Sequence, residues 1–384
     1  MQFADIVLSH YGWEGVALAA LLLVLLCVQS YYYVCVYGRI PSYKNNRRPA
    51  VLAEEPALSV VIPMFSEDYG FVEERLPLIL AQEYRDFEVV LVYVGADSDF
   101  YEDLVRLRLT FPQVFVTKIQ LDPRFPISRK MALNVGIKSA HNEHLVFSST
   151  DVVPGTDRWL SLMAKGFCKG QIVLGYCGLE RGRGLRNYLM RTCRMMHSAD
   201  WLGRAVGRRP YRGTLHNLGL TKSLYFGANG FTHLNMNIGE DDLFMQKVMT
   251  RDNVSVILSP RASLREKTWG GLRGWFAAER YFGSAVKFYP PAVRRFLAWE
   301  PCSRLLFFAA AVCALAVMPA EYKIGAAVLV AVRYLMVALE VRRVARRLGE
   351  TGIAGRYFLY DLLSPWLTLL LGAALLRKDD RVWR

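Results

Sequence analysis

Two acidic signatures in this 384-residue chain have the residue types needed to handle a phosphorylated substrate. The first, LVFSSTDVVP at 145–154, runs an apolar strand pattern into a small polar turn that ends on Asp151. In an α/β sheet such a turn delivers a carboxylate to the edge where ligands bind. The second, GEDDLF at 239–244, sets Glu240, Asp241 and Asp242 side by side before the apolar-periodic LFMQKVM. A hard carboxylate such as Asp151 can hold a divalent metal against phosphate oxygens. A carboxylate of the second group can accept a proton. Each signature also has a plainer reading: Asp151 as a turn residue ahead of Pro154 and Gly155, the triplet as acid answering a helix dipole.

The elements that must position these groups alternate. Residues 58–63 read as a buried strand, followed by a polar turn at 66–70 and an amphipathic stretch at 72–81. Strand patterns recur at 87–94, 114–119 and 144–147, separated by helical patterns at 101–109 and 128–139, the latter with a basic start at Arg129 and Lys130. This order predicts an α/β domain with a mostly parallel, doubly wound sheet. Its working loops would lie near Phe65, Gly95 and Asp151. The following stretch, 159–275, is less regular and dense in arginine, with aromatic and apolar residues interleaved as in YLMRTCRMMHSADWL. A membrane-facing surface needs both kinds of residue, although a solvated face accounts for the charges too.

Hydrophobic residues make up 53% of the chain, and the excess gathers at its two ends. Residues 13–37 carry no Lys, Arg, Asp or Glu after Glu14, a run long enough to cross a bilayer. The segment ahead of it holds Asp5 and no Lys or Arg, unlike a signal peptide. Arg39, Lys44, Arg47 and Arg48 follow, which places the N-terminus outside and the next domain in the cytoplasm. The chain thus divides into an extracytoplasmic start (1–12), a transmembrane helix (13–37), a linker (38–56), a catalytic domain (57–285), an interfacial segment (286–304), a C-terminal membrane region of two or three helices (305–376) and a basic tail (377–384). Arg333 falls inside one candidate membrane element; Asp361 and Pro365 inside another point to a re-entrant or interfacial helix. The net charge of +14 fits anionic lipid headgroups or a diphosphate ligand, and no nucleic-acid-binding motif accompanies it. The seven cysteines lack paired spacing and read as reduced packing residues.

Five segments in order, LSVVIPMFSE, RKMALNVGIKSA, SSTDVVP, RPYRGTLHNLGL and GEDDLF, make residues 56–285 resemble a membrane-anchored family 2 glycosyltransferase of the GT-A (Rossmann-like) fold, of a type common in Bacteroidetes-like bacteria. The resemblance implies inverting transfer of a hexose from a nucleotide-sugar donor to a membrane-associated, lipid-linked or glycan acceptor. It further implies polysaccharide synthesis for the cell envelope, a divalent metal (Mn or Mg), and a multi-pass protein of the inner membrane with its catalytic domain in the cytoplasm. Asp241 becomes the base, with Glu240 and Asp242 orienting it or raising its pKa by like-charge repulsion. Pro63, Phe65, Glu67, Tyr93, Arg129, Lys130, Ser149, Thr150 and Asp151 surround the donor, Asp151 on the metal. His216, Asn217, Trp275 and Arg280 face the acceptor or diphosphate.

Two positions depart from the family pattern: Ser149 stands where D-x-D has its first acid, and Tyr93 where an acid ends the second strand. Of the processive synthases' Q-x-x-R-W, residues 277–281 keep Arg280 alone, which points to single-sugar addition. The departures also admit a catalytically impaired pseudoenzyme kept as a membrane scaffold. A lipid-binding or transport accessory protein is a third reading, and it leaves GEDDLF without a role.

Overall fold

The computed structural model describes residues 2–44, 55–121, 127–233, 239–267 and 271–376. Most of the expected linker and the basic tail lie outside them. Among the described residues the strands are β1 (Leu58–Met64), β2 (Phe87–Val94), β3 (Val114–Ile119), β4 (His144–Phe147), β5 (Val152–Pro154), β6 (Ile172–Gly175), β7 (Cys177–Leu179), β8 (Leu218–Thr221), β9 (Val254–Ile257) and β10 (Leu264–Glu266). Seven form one sheet in the order β3-β2-β1-β4-β8-β6-β9, and three form a small sheet, β5-β10-β7. The central strands are buried on both faces, as their near-continuous apolar sequences require. β8 alone runs against its neighbours β4 and β6 in the large sheet; the other pairings there are parallel.

That one reversal decides what meets what. In a parallel array the loops after the strands share one edge. Because β8 is antiparallel to β4, with Phe147 opposite Leu218, the residues that precede β8 arrive at the edge where β4 ends. The small sheet adds a third segment: β10 pairs with β5 so that Glu266 lies opposite Val152, next to Asp151.

Among the described residues three helices are long and apolar enough to cross a membrane: Trp13–Ser42, Pro291–Val317 and Lys323–Arg347. The first is a helix from Gln2 to Ser30 that runs on through a π-helical segment, Tyr31–Tyr37. Pro291–Val317 is one continuous helix, so much of the segment expected to be separately interfacial is its first half; Pro291 at its start supplies a ready-made helical φ. Tyr357–Leu376 is also one continuous helix, with Pro365 inside it. Asp361 tolerates its buried place there because Arg333 meets it with two bonds, at 2.6 and 3.0 Å. Gln29 accepts from Arg333 at 3.0 Å and donates to Ser303 at 2.7 Å. One polar network therefore ties together all four apolar helices.

The α/β domain docks on this bundle through the long helix Gly184–Val206. A Cβ at Gly203 would collide with the carbonyl oxygen of Val36, so the close approach of the two backbones needs glycine. A second junction is Glu350, just after the helix Ala320–Arg347. Its buried carboxylate accepts from Arg191 at 2.5 Å, Arg265 at 2.6 Å and Tyr176 at 2.8 Å.

Removing one partner of a buried ion pair strands the other, at a cost of about 3–5 kcal/mol. Asp361→Ala should therefore lower the unfolding midpoint of the detergent-solubilised chain markedly, and Asp361→Ala with Arg333→Leu should restore much of the loss. Additive effects of the two changes would show that the pair is not coupled.

Candidate active site

The turn after β4 is pinned from two sides. Arg75, itself held by Asp68 through bonds of 2.8 and 2.7 Å, donates to the Thr150 carbonyl at 2.7 Å. The Lys267 amide donates to the Asp151 carbonyl at 2.8 Å. The Asp151 carboxylate is thereby aimed at two residues brought by β8 and β10. Asp151, His216 and Glu266 place one ligand atom each within 4.8 Å of one another. Oδ1 of Asp151 is buried without a hydrogen-bond partner, the kind of orphaned acceptor that a cation satisfies. Burial lowers the pKa of His216 and so favours its neutral, ligating form. Its Nδ1 lies 3.1 Å from the Thr214 hydroxyl, which leaves Nε2 for a metal. Glu266 is ion-paired with Arg194 at 2.7 Å. Two carboxylates and an imidazole suit a hard to borderline ion such as Mn2+, so the donor set fits the expected metal.

The sequence put Asp151 on the metal and His216 on the acceptor, and did not single out Glu266, which only the β10–β5 register brings beside them. Asn217 needs a correction. Its side chain accepts from Trp159 Nε1 at 3.0 Å and donates to the carbonyls of Tyr176 and Ala262, both at 2.9 Å. Both ends of the amide are used inside the protein, and a Cβ at Gly175 would lie 2.5 Å from it. Asn217 is a buried brace that fixes His216 rather than an acceptor contact.

The acidic triplet sits nearby in three different surroundings. The backbone carbonyl of Asp241 accepts from the Gly213 amide at 3.1 Å, only three residues from His216. Glu240 receives the Tyr281 hydroxyl at 3.1 Å and lies 3.9 Å from Arg129. Asp242 caps the helix Leu243–Val248, accepting from the Leu243 amide at 2.6 Å and from the Tyr289 hydroxyl at 2.6 Å. The helix-terminus reading is thus right for Asp242, whose carboxylate is spent on structure. Burial pushes the Asp241 carboxyl up to about 7; Asp242 raises it next, Arg212 opposes, Glu240 adds and Arg129 opposes.

Arg129 and Lys130 begin the helix Arg129–Ser139, capped by Ser128. A cation there opposes the helix dipole; Glu240, 3.9 Å from Arg129, compensates it, and the charge of Arg129 also reaches His216 and Asp241. Lys130 is buried, which lowers its pKa, with Glu240 opposing. Pro63 is inside β1, and Phe65 and Glu67 are exposed just past it. Tyr93 is fully buried, packs on Phe100 and donates its hydroxyl to Glu67 at 2.5 Å. A carboxylate from the loop after β1 thus stands against the end of β2. Ser149 and Thr150 are half-buried in the turn. Trp275 is buried and Arg280 partly buried on the helix Gly271–Ser284, which also carries Tyr281.

No protein-family model matches the chain, and no curated protein resembles it in sequence. Among solved structures it resembles the mannosyltransferase PcManGT from Pyrobaculum calidifontis, determined in complex with GDP-Man and Mn2+, at 17% identity over 86% of this chain and 98% of that one, with a TM-score of 0.54. Residues 1–349 of S. aureus TarS in complex with UDP-GlcNAc match at 15% identity over 81% and 92% of the two chains, with a TM-score of 0.41. The likeness to PcManGT is one of fold: a mixed α/β domain around a mostly parallel sheet.

Titration of Mn2+ followed by electron paramagnetic resonance should report one bound ion in the purified chain. Thr214→Val, which removes only the support of His216, should weaken binding by about 10–100-fold, and Asp151→Asn or Glu266→Gln by more. Undiminished binding in Asp151→Asn would remove the ion from this site.

Proposed function

We propose that this chain is an inverting glycosyltransferase that moves a sugar from a nucleotide-sugar donor to a lipid-linked acceptor at the cytoplasmic face of a membrane. One observation carries the reading: a metal-suited cluster, Asp151–His216–Glu266, and a buried carboxyl of raised pKa, Asp241, stand at one sheet edge with Arg129 acting on both. The PcManGT structure holds GDP-Man, a nucleotide sugar, which agrees with it.

In this reading the nucleotide lies over the ends of β1 and β2, where Glu67, steered by Tyr93, faces the ribose. Asp151, His216 and Glu266 would hold a divalent ion, which would supply positive charge to the diphosphate leaving group. Arg129 adds positive charge to the same oxygens. Asp241 takes the proton from the acceptor hydroxyl as that oxygen attacks the anomeric carbon from the side opposite the diphosphate. Glu240 and Asp242, fixed by Tyr281 and Tyr289, keep Asp241 in place and keep its pKa high. The impaired-enzyme reading rested on Ser149 and Tyr93. Glu266 and His216 beside Asp151, and Glu67 on Tyr93, supply what those two positions lack.

The membrane reading draws on the three apolar helices, whose outward faces expose Leu21, Leu23, Val24, Val312, Val332 and Leu335. Arg343 and Arg347 reach Ser42 and Tyr43, so the basic end of the Lys323–Arg347 span lies on the catalytic side. By the excess of cations in cytoplasmic loops, that side is the cytoplasm. A cavity of ≈ 370 Å3 between bundle and catalytic domain reaches Arg212 and Tyr289, beside the acidic triplet, and offers a lipid-linked acceptor a way in.

A thermal-shift panel of nucleotide sugars in detergent should give one donor whose stabilisation needs Mn2+. With that donor, Asp241→Asn should keep the shift and lose turnover by about 10²–10⁴-fold; full turnover would end the mechanism. A base must be deprotonated to act, so kcat/KM should climb about tenfold per pH unit on the acid side and level off above about 7. Asp242→Asn keeps a helix-capping side chain but removes the neighbouring charge, and should move the rising limb to lower pH.

A further inference from the structure

A second group of potential ligands stands apart from the first. On the helix Gly184–Val206, Cys193 and His197 are one turn apart and share a face. Glu279, on the helix Gly271–Ser284, meets them from across the junction. One ligand atom from each lies within 4.8 Å of the others. The three touch only through long contacts: the Cys193 sulfur is 3.8 Å from His197 Nε2 and 3.9 Å from its Nδ1, and that Nδ1 is ion-paired with Glu279 Oε2 at 3.3 Å. A charge-assisted N–H···O bond is about 2.7–2.9 Å. Ligands around a tetrahedral zinc, with Zn–S of about 2.3 Å and Zn–N of about 2.0–2.1 Å, stand roughly 3.3–3.6 Å from one another.

We propose that Cys193, His197 and Glu279 bind a zinc-class divalent ion that clamps the helix Gly271–Ser284 to the helix Gly184–Val206, with its fourth position open to the cavity beneath the catalytic domain. A thiolate, a neutral imidazole and a carboxylate match the ligand preferences of Zn2+, and with them the ion is neutral overall. Three protein ligands and one open place is also the pattern of zinc sites that exchange a fourth ligand. His197 and Glu279 both line the cavity, so that place faces space rather than protein. The clamped helix carries Tyr281, whose hydroxyl holds Glu240, and so the ion fixes one wall of the acidic triplet. The Asp151–His216–Glu266 group has no sulfur, which separates the two sites chemically: the harder ion belongs there and the softer one here.

The test uses the full chain in detergent, stripped with a chelator and titrated with Co2+. Ligation by Cys193 gives an intense thiolate-to-cobalt charge-transfer band, which an all-N/O site cannot produce. The band should saturate at one equivalent, vanish in Cys193→Ser, and persist in Asp151→Asn. Zn2+ should displace it and protect Cys193 from alkylation. A wild-type chain without the band, or a band undiminished in Cys193→Ser, overturns the proposal. Should Cys193→Ser aggregate, Glu279→Gln serves in its place: it keeps the sulfur, so its band should shift in the visible region, and an unchanged spectrum overturns the role of Glu279.

Discussion

The carboxylate of Glu350 is the contact on which the arrangement of this molecule turns. It belongs to the loop between the helices Ala320–Arg347 and Tyr357–Leu376, yet it is buried against Arg191, Arg265 and Tyr176 of the α/β domain. Two guanidinium groups brought out of water need such a counter-charge, and the carboxylate needs them. Arg265 is the residue before Glu266, so the same bond that fastens the bundle also fixes the strand carrying one of the three metal-suited side chains. A Cβ at Gly178 would strike both Arg265 and Glu350, which keeps that position as glycine. The site at the sheet edge is thus built partly by residues far beyond the catalytic sequence.

The triplet Glu240-Asp241-Asp242 illustrates how surroundings divide labour among like groups. Asp242 spends its oxygens on a helix end and Tyr289, and Glu240 meets Tyr281 with Arg129 close by. Asp241 is left to the opposed charges of its neighbours and of Arg212 and Arg129, in a buried place.

Much of the scaffold was legible from local pattern. β2, β3 and β4 fall where runs of apolar residues place them, β1 runs one residue further, and the helix after Ser128 begins where its cap stands. What lay beyond reach depends on register between distant segments. β8 is short and apolar, and nothing in LGLT announces that it runs antiparallel and so delivers His216 to Asp151. Glu266, Tyr281 and Tyr289 carry no motif; each becomes relevant only once a strand pairing or helix packing has set it against an acid. Asn217 was misjudged for the same reason, since a buried amide and a ligand-facing amide look alike until their partners are known. Tyr93 shows the converse: a missing acid in the pattern is replaced in space by Glu67.

The pairing of Arg333 with Asp361 has a consequence for how the chain is made. In the proposed membrane arrangement, an arginine at mid-bilayer depth would cost an isolated helix about 2.5–3.5 kcal/mol, and its counter-charge lies in the next helix, synthesised later. The two helices would then settle as a hairpin rather than one at a time.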